Sequence, residues 1–519
     1  MISCRSKVLF LLFFLLIATL SGQNLSKLEL TILHTNDNHG RLLPFDIVGQ
    51  EKIGGMAPRM TLIKEIREEI AKKQGHLLLL DCGDINTGEP TSDMLKAEPD
   101  VLLMNKMGYH AMAAGNHEFD LNMADLLAQS KKAQFPYLSA NVFYSKTGEP
   151  VFSTMIVVNL GEMRIGIFGI TPEDTPYIST CGKNPELFFA KPEKVIPDIL
   201  KKLEEKSDFI IALIHTDHEE AIRLAQLFPK IDIILGGHTH LPMLAPLQIG
   251  KTLVSQAGCY GMMVGRFDLA FEDRKLKDWK YQMIGINLTK PVLDGDLKIG
   301  CLPFEKQFAP DPEVVEFLKP YLSQTEELLS KPIGNASENI ERNPNSNNPY
   351  SSSMGNFICD TIRKETNVDI ALQNVGGMRS DILKGKITPR DVLQVLPFAN
   401  TIFIYDLTGK EVRQIFEHMC SGHIGPKGML EASGLEVQIQ ENKLTSITIE
   451  GKPLEEGKIY RVAINSFIAK GGDGYDIFTK FSSFVDSGLL ISNIVQKYIQ
   501  SHSPISPNKE KRVVWQVSK

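Results

Sequence analysis

The chain has 519 residues, 43% of them hydrophobic and 23% charged, with a formal net charge of −6. That length favours two domains, and the composition excludes both an intrinsically disordered chain and a multi-span membrane protein. A mildly acidic protein also has no general attraction for nucleic acid polymers or anionic lipid.

The N-terminus has its own character. Arg5 and Lys7 precede an apolar run from Val8 to Leu20, and Thr19-Leu20-Ser21-Gly22 supplies small residues for cleavage. Residues 1–22 therefore read as a secretory signal peptide, too short for a comfortable membrane span. No Cys follows the run to carry a lipid, and no apolar tail closes the chain. The expectation is an exported protein, periplasmic or extracellular, without a stable membrane anchor. Loss of the signal removes two positive charges and takes the net charge from −6 to −8. Cys82, Cys181, Cys259, Cys301, Cys359 and Cys420 then remain, too far apart for a CxxC metal knuckle. An oxidising compartment permits disulfides among them, and buried free thiols fit as well.

After the signal, Leu28–His34 is a mostly apolar run of the kind a buried strand shows, and it ends in the polar loop Thr35-Asn36-Asp37-Asn38-His39-Gly40. Helical spacing of apolar residues follows over Met60–Lys72. His76–Asp81 reads as a second strand, closed by Cys82-Gly83-Asp84. A helical Val101–Met107 segment leads through Gly108-Tyr109-His110 to Ala114-Gly115-Asn116-His117-Glu118-Phe119-Asp120, a turn presenting an amide, an imidazole and two carboxylates. Another helical segment begins near Leu121. Arg164–Ile170 is a strand, Lys194–Lys206 a helix, and Phe209–Ile214 a strand that ends at His215. A helix near Glu219–Leu227 precedes the strand Ile231–Leu235, which ends in Gly236-Gly237-His238-Thr239-His240. Lys251–Ile286 alternates and is Gly-rich, as antiparallel strands are. Pro310–Ser330 contains an amphipathic helix that reads as a connector. Beyond it the chain turns polar over Asn343–Ser353 before a new helix and strand, so a second domain is placed from about residue 335.

Metal-binding residue types recur at these strand ends. Asp37, His39, Asp84, Asn116, His215, His238 and His240 lie on five loops, and in α/β layers loops at the carboxyl ends of strands converge on one edge. Mixed imidazole and carboxylate donors suit Zn, Mn, Fe or Co, whereas Ca or Mg favours oxygen alone. Seven ligands are too many for one ordinary ion and suit two. One carboxylate must then lie between the cations, and Asp84, alone on its loop, is the candidate bridge.

In the second half, Val368–Gln373 reads as a strand ending in Asn374-Val375-Gly376-Gly377-Met378-Arg379. Glycines there let a ligand approach backbone amides, and Arg379 offers a fork for phosphate or carboxylate. Phe398 and Phe467, on separate loops, suit the core individually or a clamp on a planar base together.

Asp37-Asn38-His39, Gly83-Asp84, Gly115-Asn116-His117-Glu118, His215 and Gly236-Gly237-His238-Thr239-His240 resemble the successive motifs of the calcineurin-like metallophosphoesterases. Leu33-His34-Thr35-Asn36-Asp37 with Gly471-Gly472-Asp473-Gly474 narrows the resemblance to the secreted 5′-nucleotidase family, which includes bacterial UDP-sugar hydrolases and 2′,3′-cyclic nucleotide phosphodiesterases. It covers nearly the whole mature chain. It implies an α/β fold: a four-layer α/β/β/α metallophosphoesterase domain over residues 28–305, a helical linker over 306–334 and a second α/β nucleotide-binding domain over 335–519.

The same resemblance implies two divalent metal ions. Asp37, His39, Asp84 and His240 would hold one, and Asp84, Asn116, His215 and His238 the other. His117 becomes the catalytic imidazole, with Asp120 as the carboxylate that fixes its tautomer, while the metals activate a water for attack. Asn374, Gly376, Gly377, Arg379, the Phe398–Phe467 pair and Asp473 become the substrate site, with Asp473 on the ribose hydroxyls. The implied function is a secreted phosphohydrolase that releases phosphate from small-molecule nucleotides. Hydrolysis of UDP-sugars, 2′,3′-cyclic nucleotides or another phosphate ester is the alternative, and nucleotide binding without activity a third reading. Asp120 can also cap the next helix, and Glu118 receives no role. One departure bears on the substrate: family members usually carry arginines shortly before the Gly-Asn that matches Gly355-Asn356, and Asn347–Met354 has none. Arg342 is the nearest.

Overall fold

A computed structural model of the chain describes residues 27–47, 50–179, 184–288, 293–294, 297–298, 306–342, 351–398, 400–481 and 484–516. The expected signal peptide, Cys181, Cys301 and most of the polar loop from Asn343 lie outside the described residues.

Two six-stranded sheets form the first half. In spatial order the first contains Lys275–Gly285, Met263–Glu272, Lys27–Thr35, His76–Asp81, Ala111–Ala113 and Tyr137–Leu138. The second contains Leu247–Ile249, Thr252–Gln256, Ile233–Gly236, Phe209–Ile214, Met163–Ile170 and Met155–Leu160. The last four strands of the first sheet run parallel, as do the four central strands of the second.

Phe209–Ile214 shows why the sequence reads as unbroken apolar runs. Phe209, Ile211 and Leu213 face the opposing sheet, while Ile210, Ala212 and Ile214 face helices, so every position is buried. Helices Met56–Lys72, Glu98–Met107 and Met123–Lys132 cover the outer face of the first sheet, and Pro192–Glu204 and His218–Leu227 that of the second. The result is the expected order of helix, sheet, sheet, helix. The alternative role for Asp120 as a helix cap is corrected: Asn122 caps Met123–Lys132, its side chain accepting from Asp125 N at 3.0 Å.

The connector helix Pro312–Leu329 is capped by Asp311 and packs against the first half through Val314 and Leu318. Beyond it lies a five-stranded sheet in the order Leu430–Ser433, Ile370–Asn374, Ile459–Asn465, Thr401–Thr408, Phe484–Leu490. Helices Ser353–Thr366 and Ile491–His502 pack on one face and Gly409–Met419 on the other. The Gly355-Asn356 segment has a structural reason here. Ser352 caps Ser353–Thr366, and the buried Glu431 carboxyl group accepts from Ser352 N and is hydrogen-bonded to Ser352 Oγ, both at 2.6 Å. A Cβ on residue 355 would overlap that carboxyl group, so any larger residue would displace it. Burial pushes the Glu431 pKa up to about 8 against the pull of those hydrogen bonds. Cys82, Cys259, Cys359 and Cys420 are free thiols.

Candidate metal centre and active site

The carboxyl ends of three strands in the first sheet and two in the second open onto one edge of the sandwich. Asp37 and His39 follow Lys27–Thr35, Asp84 follows His76–Asp81, and Asn116 follows Ala111–Ala113. His215 follows Phe209–Ile214, and His238 and His240 follow Ile233–Gly236. Donor atoms of Asp37, His39 and His240 all lie within 4.8 Å of one another, as do those of Asp84, His215 and His238. Asp84 also lies within 4.8 Å of donor atoms of His39 and His117, which puts its carboxylate between the two sets. Asn116 joins the second set, its Oδ1 2.9 Å from His238 Nδ1.

The donors fit divalent cations. His39 Nδ1 lies 2.8 Å from Thr87 O and His215 Nδ1 2.7 Å from Cys82 O, so in each ring Nδ1 donates and Nε2 turns a lone pair inward. The buried His215 Nε2 has no hydrogen-bond partner of acceptable geometry, yet it sits 3.0 Å from Asp84 Oδ2. His240 Nε2 is 3.3 Å from Asp37 Oδ1 and 3.0 Å from His39 Nε2. Ligands bound to one cation at about 2.0–2.2 Å are separated by about 3 Å, the spacing seen here.

Asp37, His39, Asp84, His238 and His240 have φ of 51°, 49°, 57°, 81° and 63°. Left-handed backbone costs a non-glycine residue about 1–2 kcal/mol. Hydrogen bonds hold it in place: Asp37 N donates to Gly83 O at 2.9 Å, His39 N to Asp84 O at 3.0 Å and His238 N to Asp37 Oδ2 at 2.9 Å. Where these two loops meet, Gly83 adopts φ 94° and a Cβ there would lie 2.5 Å from Gly115 N.

His117 Nδ1 lies 2.6 Å from Asp120 Oδ2, and its Nε2 is 4.0 Å from Asp84 Oδ2. Burial works against a charged ring, but the Asp84 and Asp120 carboxylates outweigh it and the His117 pKa is raised. Glu118, left without a role by the sequence, is a buried brace. Its Oε2 accepts from Asp84 N at 2.9 Å and Gly115 N at 2.7 Å, and its Oε1 from Ile85 N at 2.9 Å and Asn86 N at 3.4 Å. Burial and then the Asp84 charge raise its pKa, but both oxygens already accept N–H groups and the ionised form is the one they require.

The second half supplies the other wall. Arg379 Nη2 reaches within 3.5 Å of His39 Nε2 and of His240 Nε2. The Phe398 ring lies over His117 with centroids 5.8 Å apart and planes at 24°, while Phe467 packs against Gly472. Asn374 Nδ2 donates to Asp473 Oδ2 at 2.8 Å, and Asn465 Nδ2, missed in the sequence, orients Asn374 through its Oδ1 at 2.8 Å. Lys427 was also missed. It sits on the turn Pro426–Gly428, its backbone against Gly376, and its Nζ donates to His238 O at 3.1 Å. Arg342, the arginine nearest the departure, is held by Asp381, with Nε 3.3 Å from its Oδ1.

Comparison with known proteins gives two family matches. Residues 30–242 match the calcineurin-like phosphoesterase family and residues 332–480 the 5′-nucleotidase C-terminal domain. The chain is 34% identical to a 5′-nucleotidase of Vibrio vulnificus, with 93% of this chain and 92% of that one aligned. It is 32% identical to protein UshA of Yersinia enterocolitica over 93% and 92% of the two chains. Among solved structures, a 5′-nucleotidase precursor from Thermus thermophilus superposes with a TM-score of 0.82 at 28% identity, covering 94% of this chain and 99% of that one. No helix among the described residues is long and apolar enough to cross a membrane.

Proposed function

Since the chain belongs to the 5′-nucleotidase family, with a calcineurin-like phosphoesterase domain ahead of a 5′-nucleotidase C-terminal domain, it is a metal-dependent phosphoric ester hydrolase, and we propose that it is an exported enzyme releasing phosphate from nucleotides with two divalent ions. The observation that carries this reading is the pair of donor groups joined at Asp84, with His117 beside it and Arg379 facing it from the second domain. Asp37, His39, Asp84 and His240 would hold one ion and Asp84, Asn116, His215 and His238 the other. When bound, such ions lower the pKa of water and share charge that develops on phosphoryl oxygens.

The rest is done by side chains. Asp120 holds the Nδ1 proton of His117, leaving Nε2 to stabilise a phosphoryl oxygen or the departing alkoxide. Arg379 neutralises phosphate charge with a planar fork, and Lys427 adds a second cation on the loop side of His238. Asp473, to which Asn374 Nδ2 donates at 2.8 Å, would meet the ribose hydroxyls, with Asn374 on the nucleoside and Phe398 and Phe467 against the base. Export rests on Arg5, Lys7 and the apolar run to Leu20.

The test is a substrate panel with the mature protein. AMP, UMP, UDP-glucose, 2′,3′-cyclic AMP and an aryl phosphate are each assayed with Mn, Zn or Co. Nucleotide hydrolysis supports the proposal. Activity on the aryl ester alone would assign another phosphate ester, and silence with every metal would favour a nucleotide binder.

A further inference from the structure

We propose that Thr87 is a positioning residue for the His117–Asp120 pair; this rests on the catalytic reading of that pair given above. Thr87 has φ 62°, in the left-handed region. For a β-branched residue this is a genuine outlier costing about 1–3 kcal/mol, and glycine would adopt it freely. What glycine lacks is the hydroxyl. Thr87 Oγ1 donates to Asp120 Oδ2 at 2.9 Å, the same oxygen that lies 2.6 Å from His117 Nδ1. That oxygen is therefore fixed by two donors at once. The carbonyl of Thr87 meanwhile lies 2.8 Å from His39 Nδ1. One residue thus aligns the carboxylate behind His117 and, together with Asn86 O at 3.1 Å, sets the tautomer of His39.

The loop is pinned on both sides of the strained residue. Ahead of it, Ile85 N and Asn86 N donate to Glu118, and Asn86 Oδ1 accepts from Gln129 Nε2 at 2.7 Å. Behind it, Gly88 N donates to the Asp93 carboxylate at 3.2 and 3.1 Å. Backbone strain persists where the surroundings over-determine it, and here they deliver the hydroxyl to Asp120.

The experiment uses the full mature protein loaded with metal, comparing Thr87→Ser, Thr87→Val and Thr87→Gly on AMP and on p-nitrophenyl phosphate. Val and Gly should lower kcat about tenfold or more while KM and metal content stay at wild-type values. The His39 contact uses the backbone, which is why the metals should remain. Ser, which keeps the hydroxyl, should restore turnover. Gly should melt at or above the wild-type temperature yet remain slow, a combination that a purely structural role does not give. Wild-type kcat in Val or Gly, or a Ser variant as slow as Val, would overturn the proposal. A wild-type protein inactive on every ester would instead remove the reaction proposed above. The hydrogen bond is then read directly by NMR: the His117 Nδ1 proton should be downfield and protected in wild type and Ser and lost in Val and Gly, and its survival in Val would count against Thr87.

Discussion

Replacing Glu118 by Gln should loosen the loop that carries Asp84 without unfolding the protein. The wild-type carboxylate receives four backbone N–H groups, two on each oxygen, at 2.9 and 2.7 Å and at 2.9 and 3.4 Å. Glutamine turns one oxygen into an NH2 group, so two of those donors lose their acceptor and face another donor. Each buried donor left unsatisfied costs about 1–3 kcal/mol, about 2–6 kcal/mol in all. That is a large share of the about 5–15 kcal/mol by which a domain is stable, and local opening of the loop is the cheaper response. Asp84 then moves relative to His215 and His39. Metal affinity should fall about 10–100-fold and turnover with it. Calorimetric metal titration and melting with and without chelator measure both parts. In the variant the gap between metal-loaded and chelated melting temperatures should shrink. If Glu118→Gln binds metal and melts like wild type, the brace has no energetic weight and the reasoning is wrong.

His117→Ala should leave metal content unchanged and lower turnover by on the order of 10²–10⁴-fold; unimpaired turnover would remove the catalytic assignment. Phe467→Ala should raise the KM for nucleotides and spare an aryl phosphate, and an equal effect on both would sink the base clamp. Phe398→Ala is the less clean probe, because that ring also lies on His117. For Glu431, the folded protein keeps until about pH 8 a proton that the unfolded chain releases near 4.5. Its contribution to stability is therefore complete below that lower value and is lost as pH rises through about 8. Glu431→Gln stays neutral throughout, so its melting temperature should decline less than wild type between about pH 5 and 9, and parallel declines would refute the assignment.

Much of the first domain was legible because its strands are buried on both faces and end abruptly in polar loops. Phe209–Ile214 followed by His215 is the clearest case. Ala111–Ala113 escaped notice because three residues, two of them alanine, carry no periodicity. Glu118, Lys427, Asn465 and Thr87 escaped for another reason. Their roles come from what the fold sets beside them: N–H groups from a distant loop, a carbonyl of the other domain, an amide or a carboxylate. Nor does residue type disclose a positive φ at His238 or Asp84. Asp120 was offered two tasks by its position, and the cap fell to Asn122 because a capping side chain stands two or three residues before the N–H it accepts, here that of Asp125.

The donors at the sandwich edge come from both sheets, with His39 and His240 separated by 201 positions in the chain. Ions shared across that edge would bind the folded sandwich and not the extended chain, so their free concentration enters the folding equilibrium directly. At a hundredfold excess over Kd, each occupied site adds about 2.7 kcal/mol by mass action. No disulfide straps these sheets among the described residues. Wherever the trace-metal content of the surroundings varies, resistance to heat and proteases becomes partly a property of those surroundings, and the lifetime of the protein would track metal supply even with no substrate present.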